Sequence, residues 1–403
     1  MYRKTVKIML LGLAGLYCIM ACTAAKVPDI ISVTKGQQVR LESQPLVHLE
    51  YNSRKNSREN TDISRYTASL LGVLPLKDVA VVHGQEKYVA VSGKPFGIKM
   101  FCDGVMIVGF SDILTSSGYK NPAKAAGLKS GDIILSINGR TTQTNRDVED
   151  IIEKYGGAPL EIQYMRGETR HKTQIKPVKD SAKGTFRTGM WVRDSGAGIG
   201  TMTFYDIETG YFSGLGHGIK DVDTQQELRL LSGEIVPVKI TGIVKSKNGS
   251  AGQLKGSFMT TAASGKILSN GPTGVYGKAY IMEKDNIMPV ATPSQIQPGK
   301  AHIITTISGT QPQHYEIEIE KINMTSTDKN KNMVIRITDS RLLALTGGIV
   351  RGFSGSPIVQ NGRLVGAVTH VFVNQVDRGY GIFATNMLET INTITEKENK
   401  MVA

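Results

Sequence analysis

The sequence predicts a mainly β, multidomain protein behind an N-terminal apolar segment. Three observations carry that prediction. The chain starts with a positively flanked apolar run. A unit near residues 93–180 mixes short strands with two helix signals. From about residue 186 the chain is dense in short strands and Gly turns, with helical periodicity returning only near Met387. A length of 403 residues with 40% hydrophobic content supports two or three domains and excludes whole-chain disorder. The 48 Lys+Arg against 35 Asp+Glu leave +13. Arg3, Lys4 and Lys7 contribute to that excess, and residues 1–25 hold no acid. The remaining positive charge is dispersed. That suits a membrane surface or acidic partners, and no aromatic-interleaved basic stripe calls for nucleic acid.

Ile8 to Ala21 is apolar, and the small residues Cys22-Thr23-Ala24-Ala25 follow. Residues 1–25 therefore read as a signal peptide or signal-anchor. The run is short against the roughly 20 residues of a full span. In either case the rest of the chain is exported, because the positive flank stays inside. A lipoprotein-type Cys22 ranks lower, since Met20 fits that pattern poorly. Cys102 is the one cysteine outside the segment. It can form no intrachain bridge and belongs to no zinc spacing, so a small buried hydrophobe is expected. No metal and no cofactor are expected.

Residues 26–92 read as a polar stalk with short lead-in strands. Within them Glu50–Arg65 is nearly all polar, an exposed linker open to proteolysis. In 93–180, Ala125-Ala126-Gly127-Leu128 is a short helix with a Gly stop, and Ile133–Ile137 a strand closed by Asn138-Gly139. Thr144 and Asp147 form a capping box, with Val148, Ile151, Ile152 and Tyr155 on one helical face. Leu160, Ile162 and Tyr164 alternate along a strand. This block resembles a bacterial PDZ domain. The resemblance implies an extended peptide added to a sheet edge, at Phe96, Gly97, Ile98, Lys99 and Met100. A purely structural PDZ unit is the alternative.

In 186–396 many short strands point to a sandwich or barrel. Its strongest motif is Gly352-Phe353-Ser354-Gly355-Ser356-Pro357, followed by two apolar strands around Asn361-Gly362. Glycines at 352 and 355 let the backbone turn sharply, exposing Ser354. The N–H groups of Gly352 and Ser354 can converge as an oxyanion hole. The pattern resembles the nucleophile loop of chymotrypsin-like serine peptidases, which implies a β-barrel peptidase domain. A serine hydroxyl needs a base. His217, framed by Gly214-Leu215-Gly216 and Gly218-Ile219, is the candidate. His302 and His370 sit in apolar alternating runs and read as core or surface histidines. Asp221, Asp223, Asp285, Asp328 and Asp339 are open as the third group. Asp339 is favoured at the end of Val334–Thr338, and Asp221 and Asp223 read as surface turn residues.

Taken together, the anchor, the PDZ-like unit and both motifs resemble the stage IV sporulation protein B family, serine peptidases of endospore-forming bacteria. The segments Asp194-Ser195-Gly196-Ala197-Gly198-Ile199-Gly200-Thr201-Met202-Thr203-Phe204 and Gly366-Ala367-Val368-Thr369-His370-Val371-Phe372 extend the likeness. It implies a triad of His217, Asp339 and Ser354, with action between the forespore and mother-cell membranes. It also implies self-cleavage, and cleavage of a membrane-bound regulator of an intramembrane protease that activates a mother-cell sigma factor. The competing readings are a catalytically silent PDZ adaptor and a general extracytoplasmic quality-control protease.

Overall fold

The computed structural model describes residues 2–36, 38–41, 43–52, 63–260 and 262–402. A helix spans Tyr2–Lys26. Its Val6–Lys26 portion is 21 residues long, apolar and uncovered by the rest of the chain, long enough to cross a bilayer. A four-stranded sheet follows, with Ile30–Thr34 beside Leu74–Gly84, then Ile63–Leu70, then Val47–Tyr51. Most of the polar linker, residues 53–62, lies outside the described residues. Its flanks are paired strands, Tyr51 opposite Tyr66.

The rest is built on two closed six-stranded barrels, whose strands are labelled β1 to β12 in chain order. The first holds β1 (Pro95–Phe110), β2 (Met190–Asp206), β3 (Tyr211–Gly214), β4 (Leu230–Val244), β5 (Gly265–Gly271) and β6 (Gly274–Ala279). Going round, the order is β1, β4, β5, β6, β3, β2, and the β1–β2 pairing closes it. Its interior takes Phe96, Ile98, Met100, Met202, Phe212 and Ile235. The second holds β7 (Gly299–Thr305), β8 (Gln313–Ile322), β9 (Met333–Ile337), β10 (Pro357–Gln360), β11 (Arg363–Phe372) and β12 (Gln375–Phe383). Here the order is β7, β8, β9, β12, β11, β10. In β9, Met333, Ile335 and Ile337 are buried while Val334 and Arg336 are less so, the alternation of a strand with one face on a core. A final helix, Ala384–Val402, packs Met387, Leu388 and Ile391 against the junction of the two barrels.

The PDZ-like unit is an insertion. It leaves the first barrel partway along β1 and returns to it in β2. Its core is Val105, Ile107, Ile134, Ile137, Val148, Ile151, Leu160 and Ile162. The helix Asn145–Tyr155 starts at the expected box: Asp147 N–H donates to Thr144 Oγ1 at 3.1 Å, and Thr144 N–H donates to the Asp147 carboxylate at 2.8 Å.

This placement corrects the expected peptide-binding segment. Phe96, Gly97, Ile98 and Met100 lie in the barrel half of β1, with both edges occupied. Ile98 faces Gly198 of β2 on one side and Ile235 of β4 on the other. A strand flanked on both edges has no free N–H and C=O row to offer a ligand. Residues 93–102 thus belong to the peptidase barrel, and the strand that lies along the PDZ unit is Met190–Arg193, opposite Phe110–Met106.

Ile98→Asp should therefore unfold the chain rather than dent a binding surface. An unpaired carboxylate in a barrel core costs several kcal/mol, whereas Ile98→Val costs about 0.5–1.5 kcal/mol. Thermal unfolding followed by circular dichroism checks this. A cooperative Ile98→Asp transition at the wild-type temperature would contradict the assignment.

Candidate active site

The histidine and serine loops come from different barrels and meet between them. His217 follows β3, where Leu215 and Gly216 both take positive φ, 66° and 69°. The turn lies on β11, since a Cβ on Gly216 would stand 2.8 Å from Thr369 Cγ2. Asn270 holds the far side of the loop. Its carbonyl oxygen accepts from Ile219 N–H at 2.7 Å, and its amide donates to Leu228 O at 2.9 Å. Ser354 sits before β10 in the other barrel. Gly355 has φ +91°, and a Cβ there would stand 2.0 Å from Thr201 O, so no other residue fits.

His217 Nε2 is 2.9 Å from Ser354 Oγ, although 137 positions separate the residues. His217 Nδ1 is 2.9 Å from Gly218 O. A carbonyl only accepts, so Nδ1 carries the proton and Nε2 presents its lone pair to the serine. Ser354 Oγ also lies 2.9 Å from Thr369 O, a second acceptor for its hydroxyl. Burial pushes the His217 pKa below its ordinary 6.5; the Gly218 carbonyl opposes this and Lys220 adds to it.

The serine loop is clamped from β2. Thr201 N–H donates to Ser354 O at 3.0 Å, and Thr201 Oγ1 donates to Gly352 O at 2.7 Å. Phe353, Gly355 and Ser356 N–H groups donate to Val350 O, Val368 O and Phe353 O. Those of Gly352 and Ser354 have no acceptor among the described residues. Two open donors beside the serine oxygen can receive a developing oxyanion.

Three expectations need correcting. Asp339 does not touch His217. It caps the helix Ser340–Thr346, accepting from Arg341 N–H at 2.9 Å and Leu342 N–H at 3.1 Å, and it pairs with Arg341 at 2.8 Å. The Arg341 guanidinium, with the backbone donors, holds its carboxyl at a pKa of about 2. Glu316 N–H also reaches it, and Glu316 lies across from His302, itself opposite Val359. None of these partners of Asp339 belongs to the histidine loop or the serine loop. Asp221, expected at the surface, is 2% exposed. It accepts from Thr224 N–H at 2.8 Å and pairs with Arg193, which also holds Asp223 at 2.7 Å. His370, read as an ordinary strand histidine, stands against the site, its ring centroid 5.0 Å from that of His217. Its apolar, alternating neighbours in the sequence mark it only as a strand residue. Cys102 is buried as expected, with its thiol pushed up to about 11 by burial.

Two barrels bringing a histidine and a glycine-framed serine together, with a PDZ insertion, define a serine peptidase. The SpoIVB peptidase S55 family matches residues 184–388, about half of the chain, and the PDZ domain family matches 114–176. The chain belongs to the SpoIVB peptidase S55 family, serine peptidases of sporulation. It is 29% identical over 129 residues to the zinc metalloprotease RasP of Geobacillus kaustophilus, covering 30% of each chain. It is 29% identical over 82 residues to RasP of Shouchella clausii, covering 19% of this chain and 20% of that one. The chain thus spans less than a third of either relative's length. Among solved structures, the PDZ domain of the SdrC-like protein from Listeria monocytogenes is 25% identical, with TM-score 0.19, over 22% of this chain and 87% of that one. The HtrA-type protease AlgW is 13% identical, with TM-score 0.30, over 51% and 55%.

Asp339→Asn should keep the cap, because Asn serves there as well as Asp, and should hold self-cleavage within a few-fold of wild type. Asp339→Ala should cost about 1 kcal/mol of stability. Side-by-side cleavage rates and melting curves check both. A fall on the order of 10⁴ in a folded Asn variant would restore Asp339 as the orienting acid.

Proposed function

We propose that this chain is an exported, membrane-anchored serine endopeptidase that cuts itself and a protein partner. Ser354 is the nucleophile and His217 the general base. The observation that carries this is the 2.9 Å contact between His217 Nε2 and Ser354 Oγ, with Nδ1 committed to Gly218 O. The serine gives its proton to Nε2 as Oγ attacks the scissile carbonyl carbon. The oxyanion forms on the open N–H groups of Gly352 and Ser354, and the imidazolium then protonates the leaving amine. Water completes hydrolysis of the acyl-serine by the reverse proton path.

Membership in a sporulation peptidase family supports a signalling role. In that reading the enzyme acts between the forespore and mother-cell membranes on a membrane-bound regulator of an intramembrane protease. The helix Tyr2–Lys26 supports anchoring, and the polar linker within Glu50–Arg65 is the favoured self-cleavage region, since tethering raises its effective concentration. The PDZ insertion supports a protein partner. The helix N-terminus of that insertion is tied to β2, Asn145 N–H donating to Asp194 at 2.8 Å. The same strand carries the Thr201 clamp, so what the PDZ unit binds can bear on the serine loop.

Ser354→Ala should abolish self-fragmentation without altering the fold. Ser356→Ala should retain it while losing about 1 kcal/mol of stability, because Ser356 is fully buried on Thr305 Oγ1 at 2.9 Å. Gel analysis of both variants decides; an active Ser354→Ala would sink the assignment.

The rate should stay high to a pH below 6.5. A base whose pKa is lowered keeps its lone pair further into acid, so the acid limb moves down. A limb centred at or above 6.5 would contradict the burial of His217.

A further inference from the structure

His217 leans on no carboxylate among the described residues; its surroundings offer a backbone carbonyl and a second imidazole. His370 follows Thr369 on β11, at a register shift between Val368 and His370 in the pairing with β12. Such bulges re-aim side chains beside active sites. Here Thr369, the residue inside the bulge, binds the serine hydroxyl through its carbonyl. Thr369 is itself held by its own hydroxyl, which donates to Asn330 O at 2.9 Å. The two imidazole rings lie 5.0 Å apart with planes at 36°. His370 Nδ1 is buried and makes no hydrogen bond, a cost that packing alone does not require.

We infer that His370 is a positioning residue for His217: its ring is the wall that keeps Nε2 on Ser354, and its neutral face stabilises the imidazolium formed when Ser354 loses its proton. This rests on the peptidase reading above and deepens it. A cation within about 6 Å of an aromatic face is attracted to it, more so when desolvated. The role requires His370 to stay uncharged. Burial, His217, Lys331 and Lys220 together push its pKa down to about 4, opposed by Asp328. Asp328 is itself paired with Lys331 at 2.7 Å, which blunts its pull. Its strand neighbour on β12 is Tyr380.

The test uses the full chain in detergent and an alkyl fluorophosphonate, which reports nucleophile activation without a known substrate. Ser354 Oγ forms the P–O bond, the P–F bond breaks, fluoride leaves and His217 takes the proton. Labelling rates are measured from pH 5 to 9, with a melting curve for each variant. His370→Ala should label about 10- to 100-fold more slowly, the scale of a misplaced catalytic group. His370→Phe, which restores the face, should recover to within about threefold with the acid limb unmoved. His370→Lys should be slow, with the limb displaced to lower pH, because a fixed cation opposes the imidazolium. Should the alanine variant not fold, His370→Leu keeps the bulk and should be equally slow. Wild-type rates in the Ala or Leu variant would overturn the inference, as would a Phe variant no better than Ala. A wild-type chain labelled no faster than Ser354→Ala would overturn the peptidase reading and this inference with it.

Discussion

The site depends on one clamp, Thr201 against the nucleophile loop. Its N–H and Oγ1 bind Ser354 O and Gly352 O, joining β2 of the first barrel to the serine of the second. Thr203 extends the clamp, its hydroxyl donating to Gly355 O at 2.8 Å. These bonds use the loop's carbonyls and leave two of its N–H groups free. A neutral hydrogen bond contributes only about 1 kcal/mol, so its value here is geometric. The clamp fixes the distance between histidine and serine loops that nothing in the chain's local preferences could set.

β2 gives that clamp its reach. The strand runs 17 residues from Met190, beside the PDZ unit, to Asp206 in the first barrel. Met190 and Val192 pack on the PDZ core at one end, and Met202 and Phe204 enter the barrel cores at the other. Arg193, the fourth residue of the strand, binds Asp221 and Asp223 and so ties the strand to the loop that follows His217. The PDZ insertion, the histidine loop and the serine loop are therefore all attached to one continuous strand. A displacement of its first residues can pass along the strand, and through its ion pairs and hydrogen bonds, to both halves of the site.

The motifs with short sequence signatures were legible: the glycine-framed serine, the glycine-framed histidine, the capping box and the hairpin at Asn361-Gly362. Each depends on residues within a few positions of one another. What could not be read was pairing. Phe96–Met100 looks like a strand with a peptide-accepting edge, and its alternation is real. Its two partners, at Gly196–Gly200 and Gly233–Pro237, stand about a hundred positions or more away, beyond anything periodicity reports. The family resemblance and its place at the end of Val334–Thr338 assign Asp339 to the triad. Locally it has the better-defined task of an N-cap, followed directly by a helix ending at Gly347 in the left-handed region. His370 was hidden for the opposite reason, since its apolar neighbours describe a strand and say nothing about the ring it meets.

A base that leans on a carbonyl and a neutral ring stabilises its imidazolium less than one beside a carboxylate. Burial lowers the His217 pKa further, which keeps it unprotonated but makes it a weaker proton acceptor. Both effects favour modest turnover on a free peptide. The self-cleavage proposed above tolerates that, because a tethered segment is presented at roughly millimolar effective concentration. The open oxyanion donors at Gly352 and Ser354 lose nothing by it, as they act on charge that appears only in the transition state. The same chemistry that would make a poor digestive enzyme suits the self-cutting role proposed above.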